Sequence, residues 1–160
     1  MENYAEKAVR LLTEKKLKLT TAESCTGGLI AKMITDVSGA SAVFDCGIVS
    51  YSNSIKHSVL KVSEETLDTY GAVSEQTVRE MAEGAAKLAN ADIAVSVSGI
   101  AGPLSDNTNK PVGLIWLAVY YNGETTVKKL NNNFTENIRE NNRNSAAHEA
   151  LKLVCSVLDN

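Results

Sequence analysis

The chain has two prolines, two histidines and few aromatic side chains: one Trp, two Phe and five Tyr in 160 residues. Few aromatics, no basic stripe and a net charge of −3 leave nothing that reads as a nucleic-acid module or a membrane-surface patch. With only His57 and His148 available, and no carboxylate placed by sequence to orient either, a Ser-His-Asp triad has little to draw on. The three cysteines, Cys25, Cys46 and Cys155, lie far apart with no C-x-x-C pair. That excludes a zinc-ligand spacing and a disulfide framework, and favours reduced thiols in a cytoplasm. No acidic cluster suggests a calcium loop, and the Gly-Lys-Ser/Thr ending of a phosphate loop is missing. No apolar run approaches the roughly 20 residues of a membrane span. The N-terminus, Met1-Glu2-Asn3-Tyr4, is polar and unlike a secretory segment. The expectation is a cytoplasmic protein without metal.

What is present reads as one globular domain over 1–160, with 44% hydrophobic and 22% charged residues. Asn3 and Glu6 form a capping-box pattern for a helix to about Lys16. Leu17 to Ala22 reads as a strand, and Leu29, Ile30, Met33, Ile34 and Val37 recur on one helical face. Ala42 to Tyr51 is a second strand with an expected bulge at Gly47. Asn53 is a candidate cap for a short helix; Ser63 begins another that ends at Gly71. Ser74 opens a longer helix whose inner face is read as Val78, Met81, Ala82, Ala85 and Leu88. Ile93 to Val97 and Val112 to Tyr121 are buried strands, and Asn122-Gly123 marks a hairpin to Glu124–Asn131. A last helix, Thr135 to Leu158, turns Ala146, Ala147, Ala150, Leu151, Val154 and Leu158 inward. The order predicts an α/β fold: a three-layer α/β/α domain with a mixed, mostly parallel sheet and one C-terminal hairpin.

Hydroxyls and glycines crowd the point where the first strand turns into a helix: Thr21-Ala22-Glu23-Ser24-Cys25-Thr26-Gly27-Gly28. Such a place suits an anion, or a nucleophile whose transition state is an anion. Ser24 needs a base. With Asn53 as cap, Lys56 falls in the first helical turn, where the helix dipole lowers an amine's pKa and burial lowers it further. A neutral amine there is a general base; an exposed lysine tolerating a small dipole penalty is the plain alternative. Tyr51 leads into that helix and can share the proton traffic, or simply end a strand. Glu23 can hold Lys56, hold the turn, or be a solvated acid. Gly27 and Gly28 permit either a close approach of N–H groups to an oxyanion or tight packing. Gly99 to Pro103 is a loop at a strand's C-terminal end, where open α/β sheets bind ligands. Arg139 and Arg143, spaced i, i+4, can hold a phosphate or form a solvated face.

Taken together, these segments resemble the CinA C-terminal domain family, the nicotinamide mononucleotide amidohydrolases. The likeness is carried by Thr21 to Gly28, Tyr51-Ser52-Asn53 with Lys56, Gly71-Ala72-Val73-Ser74-Glu75, Ser98-Gly99-Ile100-Ala101-Gly102-Pro103 and Lys110-Pro111-Val112-Gly113. The resemblance implies hydrolysis of a nucleotide carboxamide by Ser24 and Lys56 with Tyr51 assisting, and no cofactor. N–H groups around Thr26, Gly27 and Gly28 would hold the oxyanion. Glu23, Asn53, Ser98, Gly99 and Gly102 would line the substrate, and Arg139 and Arg143 would meet its phosphate. Met1 stands just before the domain, so the stand-alone form is expected, as a homodimer or higher homo-oligomer. The family's glycine pair after Gly-Pro is replaced by Leu104-Ser105-Asp106-Asn107-Thr108-Asn109, which adds a negative charge. The arginines match the family pattern only with a one-residue shift. Two rival readings stand beside the amidase: a non-catalytic nucleotide-binding module, and an adaptor in DNA uptake or repair, which no residue here supports.

Overall fold

A computed structural model describes all residues, 1–160. Helix α1, Tyr4–Lys15, begins at Asn3, whose side chain accepts the N–H groups of Ala5 and Glu6; it ends at Lys16 in the left-handed region. Strand β1, Leu19–Glu23, leads through the Ser24 turn to α2, Leu29–Thr35. After a 3-10 turn at Ala40–Ala42 come β2, Phe44–Val49, and three helices: α3, Asn53–Ser58, α4, Glu64–Tyr70, and α5, Glu75–Ala89. Strand β3, Ile93–Gly99, precedes the hairpin of β4, Leu114–Tyr121, and β5, Glu124–Asn131. Asn122 and Gly123 at the turn both take positive φ, as a two-residue hairpin requires. Helix α6, Ile138–Leu158, completes the chain. It starts three residues later than the sequence suggests, because Asn137 adopts φ 44°, outside the right-handed helical backbone.

The five strands lie in the order β2-β1-β3-β4-β5. β1 pairs in parallel with β2 and β3, whereas β3–β4 and β4–β5 are antiparallel. The sheet is therefore evenly mixed rather than mostly parallel. The cause is local: no helix lies between Gly99 and Leu114, and without a crossover helix the chain re-enters the sheet from the end it left. The irregular register between β1 and β2 falls opposite Leu19/Thr20, where the pairing skips Asp45, and not at Gly47. Gly47 serves a different end, since a Cβ there would come within 2.8 Å of Thr21 Oγ1 and 3.3 Å of Ala31.

Strand side chains alternate between two cores, giving the three layers. Leu19, Ile93, Val95, Val97, Ile115, Leu117 and Val119 face α1, α2 and α6. Ala22, Ala94 and Ala118 face α5, and these small residues let that helix lie close to the sheet. The buried arc of α5 is Val78, Met81, Ala82, Ala85 and Ala86. Leu88, expected inside, is 53% exposed; at about 100° per residue it falls at the edge of that arc. The C-terminal ends of β1, β2 and β3 meet on one side of the sheet, and there three separate loops converge.

Met81→Ala should destabilise the protein by about 2–5 kcal/mol in urea unfolding, whereas Leu88→Ala should change stability by about 0.5 kcal/mol or less. Equal losses would contradict this orientation of α5.

Candidate active site

The turn after β1 is fixed from below and from the side. Ser24 N–H still donates to Val97 O at 3.0 Å, extending the ladder one residue past the strand, and Gly27 N–H closes the turn on Ser24 O at 3.1 Å. Gly27 and Gly28 take φ of 60° and 105°, a backbone that a side chain would strain. Glu23 is fully buried. Its carboxylate accepts Thr26 Oγ1 at 2.6 Å and the N–H groups of Ile30 and Ala31 at 2.8 and 3.1 Å, so it caps the start of α2. Of the roles open to it, Glu23 thus holds the turn; its carboxylate makes no hydrogen bond to Lys56 and does not line the cavity beside Ser24. The first N–H groups of α2 are occupied by this cap and by Thr26 O, so they are not open to an anion.

Lys56 enters from α3. The cap of that helix is Ser52, not Asn53: Ser52 is extended, and its hydroxyl accepts Ile55 N–H. Lys56 therefore stands one position deeper than the sequence implies, and is 1% exposed. Its Nζ donates to Ser24 Oγ at 2.9 Å, Ser50 O at 2.9 Å and Tyr51 O at 3.3 Å, all uncharged partners. Burial lowers its pKa from 10.5 to about 8. Desolvation, rather than the helix dipole, is the main cause. In the neutral amine, the two carbonyls can take the two N–H bonds and leave the lone pair for the Ser24 hydroxyl.

The other nucleophile candidate is muted. Burial pushes the Cys25 thiol up to about 12, so at neutral pH it carries no thiolate. Neither histidine is placed to serve Ser24: neither lines its cavity, His57 Nδ1 lying 2.7 Å from Val62 O and the ring of His148 packing edge-on to Tyr4.

Ser24, Cys25, Tyr51, Asn53, Lys56, Ser98, Gly99, Gly102 and Arg139 share one cavity of about 280 Å³. Its remaining wall comes from Ala72, Val73, Ile100, Ala101 and the loop residues Leu104, Ser105 and Asp106. Thr26, Gly27 and Gly28 are not part of its lining; Thr26 is fully buried, its hydroxyl spent on Glu23. The Tyr51 ring is 60% exposed, and its phenol accepts from Arg139 Nη2 at 3.0 Å, so only its carbonyl touches Lys56. Arg139 also donates to Gly102 O at 2.9 Å. Arg143 lies elsewhere: its Nε and Nη2 donate to Cys25 O and Thr26 O, behind the turn, so it does not pair with Arg139 around a common phosphate.

Three supporting contacts escaped the sequence, although Lys110 was already among the residues that carry the resemblance. Ser50 contributes a carbonyl, which carries no side-chain signal. Asn142 donates to Ala101 O at 2.9 Å and steadies the 99–103 loop. Lys110 spans to Tyr70 O and Val73 O, both at 2.6 Å, tying the far end of the 104–109 loop to the α4–α5 turn. Within that loop Asn107 takes φ 66°, the left-handed conformation that asparagine tolerates best after glycine. Asp106 Oδ1 accepts Thr108 N–H at 3.1 Å.

Residues 1–158 match the family model described as the CinA C-terminal domain. The chain is 50% identical over 153 residues to a CinA-like protein of Kosmotoga olearia, covering 96% of this chain and 36% of that protein. It is 64% identical over 98 residues to the nicotinamide-nucleotide amidohydrolase PncC of Enterobacter agglomerans, covering 61% of this chain and 60% of that one. The chain spans about a third of the length of the first curated relatives it matches. Among solved structures, a competence-damaged protein (CinA) superfamily protein from Klebsiella pneumoniae superposes with a TM-score of 0.93 at 33% identity, over 99% of each chain. A competence/damage inducible protein from Agrobacterium tumefaciens gives 0.89 at 40% identity, over 100% of this chain and 98% of that chain.

A lysine whose pKa is depressed by folding weakens the folded state wherever it is protonated. That cost is full below pH 8 and relieved as pH rises from 8 to 10.5. Relative to Lys56→Met, the wild type should therefore gain about 3 kcal/mol of unfolding free energy across that window. Parallel stability–pH curves for the two proteins would contradict the shift.

Proposed function

The chain belongs to the CinA C-terminal domain family, and from that premise we propose that it hydrolyses the carboxamide of nicotinamide mononucleotide to nicotinate mononucleotide and ammonia. The single observation that carries the proposal is the 2.9 Å bond between Lys56 Nζ and Ser24 Oγ, with the amine buried and paired to no acid.

Ser24 Oγ attacks the carboxamide carbon while its proton passes to the Lys56 lone pair. The carbonyl oxygen becomes an oxyanion beside main-chain N–H groups. That of Cys25, which lines the cavity, has no acceptor within the chain, whereas the Gly27 N–H is already spent on Ser24 O. The C–N bond then breaks, and the proton on Lys56 goes to the departing nitrogen, which leaves as ammonia. Water attacks the acyl-serine with Lys56 again as base; the acid leaves and Ser24 regains its proton. No step calls for a metal or an organic cofactor.

Substrate placement follows the cavity. The carboxamide meets Ser24 and Ser98, and the exposed Arg139 guanidinium at the rim is the cation available to the phosphate. Asp106, on the opposite loop, sets a negative charge near the same rim. Tyr51 closes that rim through Arg139 and acts on the proton path only if its phenol swings inward. A cytoplasmic location and a homo-oligomeric state complete the proposal; the three free cysteines fit the first.

The module reading gains nothing from the buried lysine. Phosphate binding needs a charged and accessible cation, and Lys56 is neither a surface group nor a comfortable ammonium.

Purified protein given nicotinamide mononucleotide should release ammonia, and Ser24→Ala and Lys56→Met should each abolish release while still folding. The kcat/KM profile should rise with pH to a plateau, with its midpoint near 8, because the free amine is the active form. Nucleotide binding without ammonia would favour the module, and wild-type turnover in Ser24→Ala would remove the nucleophile.

A further inference from the structure

Arg143 stands in the second turn of α6, one residue past the buried Asn142, and its guanidinium lies behind the nucleophile turn. Nε donates to Cys25 O at 3.1 Å and Nη2 to Thr26 O at 3.0 Å, so one rigid fork grips two successive carbonyls. A trans peptide is planar, and its carbonyl and the next N–H point in opposite directions. Fixing the Cys25 carbonyl toward α6 therefore turns the Thr26 N–H away from it. Fixing the Thr26 carbonyl does the same for the Gly27 N–H, which reaches Ser24 O. Thr26 itself is fully buried and outside the cavity; the lining residue whose N–H has no acceptor within the chain is Cys25, and Cys25 is held by the carbonyl that Arg143 grips. A cation on the carbonyl ends also polarises both peptide units, leaving their N–H ends more positive.

We infer that Arg143 is a positioning residue for the oxyanion site, acting by holding Cys25, the residue after the nucleophile, in place and not by contact with substrate. The inference rests on the Ser24 amidase reading, and it replaces the phosphate role that the i, i+4 spacing with Arg139 suggested. The two roles separate kinetically. A phosphate ligand lost raises KM; an oxyanion donor misaimed lowers kcat, since the donor matters only once charge develops.

The test compares wild type, Arg143→Ala and Arg143→Lys in two assays: turnover of nicotinamide mononucleotide, and labelling of Ser24 by a fluorophosphonate. In the labelling, the serine oxygen displaces fluoride and the phosphoryl oxygen occupies the oxyanion site. In Arg143→Ala, kcat and labelling rate should both fall about 100-fold, with KM within about threefold and partial rescue by added guanidinium ion. Arg143→Lys, which can reach one carbonyl but not grip two, should fall between and serves if the alanine variant folds poorly. A variant that keeps kcat, or one that loses only KM, overturns the inference. Should the wild type label at Ser24 but release no ammonia, the substrate assignment fails and the labelling comparison alone decides Arg143. An unlabelled wild type overturns both.

Discussion

Lys56 reaches Ser24 through an interior that offers its amine no carboxylate, only a hydroxyl and two main-chain carbonyls. An ammonium in that setting lacks most of its hydration and gains no ion pair in return. Holding it there costs about 3 kcal/mol at neutral pH, a large share of the stability of an ordinary domain. The surrounding structure absorbs that cost. Five strands with a core on each face position β1 and β2 so that the Ser24 turn and the Ser50–Tyr51 carbonyls converge. The short α3 then inserts the lysine from the side.

The nucleophile turn is built with equal economy of polar groups. Glu23 beneath it satisfies a hydroxyl and two helix N–H groups, so a fully buried carboxylate becomes a cap. Arg143 behind it takes the two outward carbonyls. Between these anchors the main chain has little freedom, and the Cys25 N–H, next to the serine, is left without an acceptor in the chain. Opposite, Asn142, Arg139 and Lys110 fasten the 99–113 segment by its carbonyls, or by those it reaches. The cavity is thus framed by side chains that grip backbone while few of them enter it.

Periodicity made most of the fold legible. Alternating strands, helical faces and cap residues located every α-helix and strand but missed the 3-10 turn at Ala40–Ala42, and Asn122-Gly123 set the hairpin to the residue. What failed did so for nameable reasons. Adjacent Ser52 and Asn53 are both competent caps, and only the conformation of Ser52 decides between them. Leu88 is apolar yet sits at the edge of its helix face, where solvent reaches. The parallel character of the sheet turned on a loop without a helix, which strand patterns do not register. At the site, Ser24 and Lys56 were individually visible as residues and paired only by the family resemblance; no local pattern links positions 32 apart, and the fold makes the contact. The two arginines looked alike by spacing; one faces the cavity and the other the back of the turn, a difference set by the carbonyls each finds.

The most direct measurement is the titration of Lys56 itself, followed by the chemical shift of its Cε or Nζ in lysine-labelled protein, with Lys56→Met identifying the signal. The account predicts a midpoint near pH 8, well below that of the surface lysines. A midpoint at the ordinary lysine value near 10.5 would mean a charged amine at every working pH, and Ser24 would be left without its base.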